Sequence, residues 1–60
     1  MINVYVMLNE CEEFARWIYR NEEQVDIEGA VVYWQSMPLV ELVEEHRGLR
    51  ERALADGYAP

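Results

Sequence analysis

Lysine is missing from this 60-residue chain, and cysteine and histidine occur once each. A single cysteine cannot close an internal disulfide, which excludes a disulfide scaffold and fits a cytoplasmic setting. One Cys and one His also fall short of any zinc spacing. Long apolar runs are missing as well. The longest, Val4–Leu8 and Ala30–Trp34, have five residues each, against the roughly 20 that a membrane-spanning helix needs. Met1-Ile2-Asn3 carries no positive charge, so no secretory signal is expected. No Gly-rich phosphate loop, Gly-x-Ser-x-Gly or His-Glu-x-x-His occurs, and no cofactor, metal or membrane is expected.

What is present is acid. Five Arg against twelve Asp and Glu give 5 − 12 = −7. Such a field opposes direct binding to nucleic acid or an anionic membrane and attracts a basic protein surface. Solubility alone is the other reading of the same surplus. Sixty residues allow one small acidic domain, residues 1–60. A chain this short buries only about 60% of its unfolded surface, so it needs dense packing or a partner.

Along the chain, Ile2, Val4, Val6 and Leu8 alternate with Asn3, Tyr5 and Met7, which predicts a strand over Ile2–Leu8. Asn9 then reads as an N-cap with Glu12 three residues on, opening a helix to about Asn21. Cys11, Phe14, Ala15 and Ile18 fall on one face of it. Over Glu22–Trp34 the pattern fits either one strand bulged at Gly29 or a hairpin turning at Glu28-Gly29, and the length favours the hairpin. Ser36 can cap a second helix with Pro38 in its first turn. Leu39, Leu42, Val43, His46, Leu49 and Ala53 share its inner face, Gly48 lies on its outer face, and Asp56-Gly57 ends it. The fold class expected is α+β: a small β-α-β(β)-α domain with both helices on one face of a two- or three-stranded sheet. Tyr5, Met7 and Trp34 would occupy the open face, unless the last strand has the opposite phase and Trp34 is core.

The stretch Leu8–Trp17 holds three glutamates and the cysteine within Glu10–Glu13. Carboxylates in a first helical turn complement the helix dipole, which accounts for Glu10, Glu12 and Glu13 without a ligand. Cys11 lies on the apolar face among acids that disfavour a thiolate, so it reads as a buried, inert thiol. His46, central on the second helix's apolar face, is the sole candidate base for it. Nothing supplies an orienting third group or an oxyanion loop, so no enzyme is expected. Two acid groups remain. Glu41, Glu44 and Glu45 repel one another at helical spacing, with Arg47 placed to relieve Glu44. Glu22, Glu23, Asp26 and Glu28 form the second. Carboxylates spaced like backbone phosphates can compete for an Arg/Lys groove built for nucleic acid.

A small acidic α+β chain without catalytic residues resembles the phage-encoded anti-CRISPR proteins, and among them the acidic inhibitors of type I systems. The likeness spans the whole chain in size, charge and architecture. The class shares no motif, so no functional residue carries across. The resemblance implies binding to a CRISPR surveillance complex in the cytoplasm of a bacterial host, blocking its DNA contacts by imitating DNA charge. The expectation is a non-enzymatic inhibitor of a basic nucleic-acid-binding complex. Glu41, Glu44 and Glu45 would engage it first, Asp26 and Glu28 next, with Tyr5 and Trp34 as aromatic anchors. The alternative is a self-associating structural module, a homodimer joined through the aromatic sheet face.

Overall fold

The computed structural model of the chain describes residues 3–59. It contains three helices: α1 (Val4–Ile18), α2 (Ile27–Gln35) and α3 (Leu39–Ala55). No strand occurs among the described residues. This overturns the α+β expectation.

Val4–Leu8, read as strand, is the opening of α1; Ile2 lies outside the described residues. Asn3 caps the helix, its side-chain oxygen accepting from the backbone N–H of Tyr5 at 3.0 Å and of Val6 at 3.2 Å. Asn9, expected as the cap, sits inside the helix. Helical phase then joins Met7 and Leu8 to the buried Cys11, Phe14 and Ala15. Val4 and Val6 each cost at most about 0.7 kcal/mol in a helix, whereas burying a side chain such as Phe14 contributes about 1.5–3 kcal/mol. Packing therefore outweighs β propensity. At the other end, Arg20 lies 3.9 Å over the Trp17 ring and donates to the Trp17 carbonyl oxygen at 2.7 Å. The guanidinium thereby joins the Arg20 backbone N–H, at 3.2 Å, on a last-turn carbonyl that has no partner within the helix.

The expected hairpin at Glu28-Gly29 is also absent. Asp26 caps α2 by accepting from the Gly29 N–H at 2.8 Å, and Gly29 belongs to the helix's first turn. A Cβ on Gly29 would collide with the Asp26 carboxylate, so the glycine leaves room for the cap. Trp34 is only 4% exposed, with Ile27, Ala30 and Val31 half-buried beside it. Ser36 ends α2 rather than starting α3, its hydroxyl donating to the Val32 carbonyl at 3.0 Å. Pro38 takes the cap position of α3, where it makes no side-chain cap bond.

α3 ends at Asp56-Gly57, as expected from the sequence. Gly57 has φ +92°, Tyr58 N–H donates to the Ala53 carbonyl at 2.9 Å and Gly57 N–H to that of Leu54 at 3.2 Å. These are the paired bonds of a Schellman stop. The turn delivers Tyr58 against α1, edge-on to Phe14 at 5.4 Å and to Trp17 at 5.9 Å between ring centroids. The Tyr58 hydroxyl donates to Glu13 at 3.1 Å. Burial, then that bond and the charges of Glu13 and Glu10, hold the phenol pKa above its ordinary value.

Cross-helix contacts fix the directions. Glu10 meets His46, Tyr19 meets Arg52 and Arg20 meets Asp56, so α1 and α3 run parallel. α2 begins beside Ala15 and Tyr19 and ends with Trp34 beside Cys11 and Leu42, so it runs opposite to both. The backbone of α1 lies close to both neighbours, whereas α2 and α3 meet through side chains around Trp34 and Leu42 with few close backbone approaches. The core is small: Cys11, Phe14, Ala15, Trp34, Leu42 and Ala53 are the buried apolar residues among those described.

Candidate functional site

The topology gathers the starts of α1 and α3 and the end of α2 at one end of the molecule. There Val4, Tyr5, Val6, Val32, Tyr33, Leu39 and Val40 are exposed. Within residues 3–9 and 30–43 the sole charged side chain is Glu41. The acids and arginines occupy the flanks and the opposite end. Helices on a short connection produce this segregation: the two apolar runs of the sequence, Val4–Leu8 and Ala30–Trp34, come to the same level.

Tyr5, 79% exposed, belongs to that end. Trp34 does not share its face. The expected aromatic patch is thus corrected: Trp34 is core, and Tyr33, one residue earlier, is the exposed aromatic on α2. The signal for this was Asp26 with Gly29 three residues on, a helix start whose period puts Ile27, Ala30 and Trp34 inward.

The acid residues fare differently. Glu41 and Glu44 are exposed and Glu45 is half-buried on the first turns of α3. Arg47 approaches Glu44 at 4.0 Å with both side chains largely in solvent, a contact of small consequence. Glu41 and Glu45 make no ion pair among the described residues. Asp26 is engaged as the α2 cap, and Glu28 lies exposed in the first turn of α2, where it complements the helix dipole. Asp26 and Glu28 lie at the end of α2 remote from Trp34, so they do not join the α3 group in one patch. Arg16 pairs with Glu12 at 3.0 Å and Arg20 with Asp56 at 2.8 Å.

Cys11 is fully buried. Burial pushes its thiol up to about 11, helped by the charges of Glu45 and then Glu10. His46 faces Glu10 instead, Nε2 to Oε1 at 3.0 Å, with its ring tilted against Phe14 at 5.7 Å. No three His, Cys, Asp or Glu side chains converge on a common metal position among the described residues. No helix is long and apolar enough to cross a membrane among the described residues.

Because α2 and α3 diverge from the Ser36–Pro38 connection, a cleft of about 410 Å³ opens between them. α1 forms its floor with Ala15 and Tyr19. Ile27, Ala30 and Trp34 make one wall, Glu45 and Leu49 the other, and Tyr33 stands at the mouth. Glu45 is the one charged residue of this lining. The sequence pointed to Glu45 as a surface acid but not to the cleft, which requires knowing that Ile27–Gln35 is helical. Set against protein-family models, curated proteins and solved structures, the chain matches none of them.

Proposed function

We propose that this chain is a non-enzymatic protein-binding module that engages a basic surface of its partner, and that this surface is one built to hold nucleic acid. The observation that carries the reading is the run of carboxylates at Glu41, Glu44 and Glu45. It has one weak arginine contact along its whole length, on a chain of net charge −7. Unneutralised acid on a rigid helix speeds association with a basic groove and repels nucleic acid itself. Of the likenesses to the type I anti-CRISPR inhibitors, size and charge support this reading; the α+β architecture no longer does. A CRISPR surveillance complex in a bacterial cytoplasm is one such partner.

The test is retention of bacterial lysate proteins on the tagged chain, beside Glu41→Lys/Glu44→Lys/Glu45→Lys with its helicity checked by circular dichroism. The expected result is a nucleic-acid-binding protein that duplex DNA or high salt releases and the variant fails to hold. Identical retention by both chains, indifferent to DNA, would overturn the proposal.

A second reading is favoured by the uncharged end of the molecule. A chain of charge −7 self-associates with least repulsion through the surface that carries almost no charge. An end-to-end dimer through Tyr5, Tyr33 and Val40 predicts a doubled mass by sedimentation equilibrium, returning to that of one chain in Val40→Glu.

A further inference from the structure

The cleft between α2 and α3 is the place where this small fold stays open. Neighbouring helices ordinarily close to about 8–10 Å between axes. Here α1 has a helix on each side, while α2 and α3 share the Trp34–Leu42 cluster but make few close backbone approaches, and the space left between them is lined by mostly apolar surface down to α1. It is a trough rather than a closed chamber. α2 alone, at nine residues, gives it a length of about 13 Å. A linear trough with apolar walls suits a helix, whose ridge presents side chains at i, i+3/i+4 and i+7.

Charge narrows the choice. Glu45 reaches into the wall, half-buried, and Glu41 stands exposed one turn before it. No arginine lines the cleft. Arg52, further along α3, is held at its own station, donating to the Tyr19 hydroxyl at 3.1 Å over the same ring. A partially desolvated carboxylate without a cation is completed by one supplied from outside.

We infer that this cleft docks an amphipathic helix of a partner protein. The helix seats its apolar ridge on Ala30, Tyr33 and Leu49 and pairs one ridge-flanking lysine or arginine with Glu45. The inference rests on the basic-partner reading above and adds where, and by what kind of segment, the partner is held.

The experiment titrates the ¹⁵N-labelled full chain with a designed Leu/Lys amphipathic peptide of about 18 residues, long enough to hold a helix. A Leu/Glu peptide of the same pattern and a scrambled Leu/Lys peptide run beside it. The expected result is saturable binding of the Leu/Lys helix alone, with amide shifts concentrated at Ala30, Tyr33, Glu45 and Leu49. Glu45→Lys and Tyr33→Ala should each weaken it about tenfold. Glu51→Lys changes net charge equally but lies outside the cleft, and should weaken it less than about threefold.

Equal losses in Glu45→Lys and Glu51→Lys, with no effect of Tyr33→Ala, would mean that net charge alone holds the peptide. That overturns the cleft and leaves the basic-partner reading standing. Shifts in the cleft that follow protein concentration without peptide would give the site to a second copy and overturn the inference. Absence of peptide binding overturns it too. The partner reading is then judged separately, by whether Glu41→Lys/Glu44→Lys loses the DNA-released protein from lysate.

Discussion

Raising the pH should unfold this protein partly through one thiol. Cys11 is fully buried, and burial, Glu45 and Glu10 raise its pKa from 9.0 to about 11. The folded chain therefore holds the Cys11 proton more tightly than the unfolded chain. That contribution to stability is whole below about pH 9 and is lost as the pH climbs toward 11. Two units correspond to about 2.7 kcal/mol, of which about 1.4 kcal/mol is gone by about pH 10. Urea unfolding followed by circular dichroism, from neutral pH to about pH 10, would read this in the native chain and in Cys11→Ala. Titration of the tyrosines cancels in the difference between the two. Cys11→Ala should be the less stable at neutral pH, through a lost buried contact of about 1 kcal/mol. Its disadvantage should shrink by about 1.4 kcal/mol by about pH 10 and change sign near there. A difference that stays constant over this range would refute the reasoning. Alkylation offers a second readout. At about pH 8 the folded thiol should react at least about a hundredfold more slowly than in urea, from thiolate fraction alone.

The glycines supply a contrasting pair. Gly48→Ala should stabilise the chain by about 0.5–1 kcal/mol, because its Cβ meets nothing within 4 Å on the outer face of α3. Gly29→Ala should be neutral to mildly destabilising, because the new methyl displaces the Asp26 cap, and that loss of about 1 kcal/mol offsets the gain from the better helix former. Thermal melts of both decide the matter, and equal shifts of one sign would refute it. Leu42→Ala empties the wall that meets Cys11 and Trp34 and should cost about 2–5 kcal/mol. For so small a domain that is enough to abolish the cooperative melt, whereas Leu54→Ala, 44% exposed, should leave it nearly unchanged.

The inner face of α3 was legible in the sequence because its period is long and regular. That period puts Leu42, Val43, His46, Leu49 and Ala53 inward and Gly48 outward, and the stop at Asp56-Gly57 is explicit; Leu39, which it also puts inward, is 48% exposed because it lies in the first turn, beyond the core. Cys11, Phe14 and Ala15 were likewise read as one face. The two five-residue apolar runs were not legible, and for a physical reason. Over five residues, periods of 2 and 3.6 share most of their apolar positions. Val4, Tyr5 and Val6 tip the balance toward strand although they are exposed and do little packing. In Ala30–Trp34 the continuous apolarity hid that Val32 and Tyr33 face out while Ala30 and Trp34 face in. The better signals were short polar ones, Asn3 and Asp26, each an oxygen placed to accept a first-turn N–H. The acids of the candidate site were legible as residues. The cleft was not, because it is a property of how two helices diverge.

The parallel pairing of α1 with α3 has a kinetic consequence. The helices that share the most contact are not neighbours along the chain. Glu10 reaches His46, Trp17 reaches Asp56 and Tyr19 reaches Arg52 across 36, 39 and 33 residues. Closing loops of that length costs about 3 kcal/mol of chain entropy before any of these contacts form. The connection between α1 and α2, residues 19–26, closes at lower entropic cost than these long loops and lets that pair meet first, around Ala15, Ala30 and Trp34. α3 can then be laid beside α1 only after α2 has carried the chain back along its length. α2 thus acts as a splint during folding, and a variant that loosens its seat on α1, such as Ala30→Gly, should slow refolding rather than only speed unfolding.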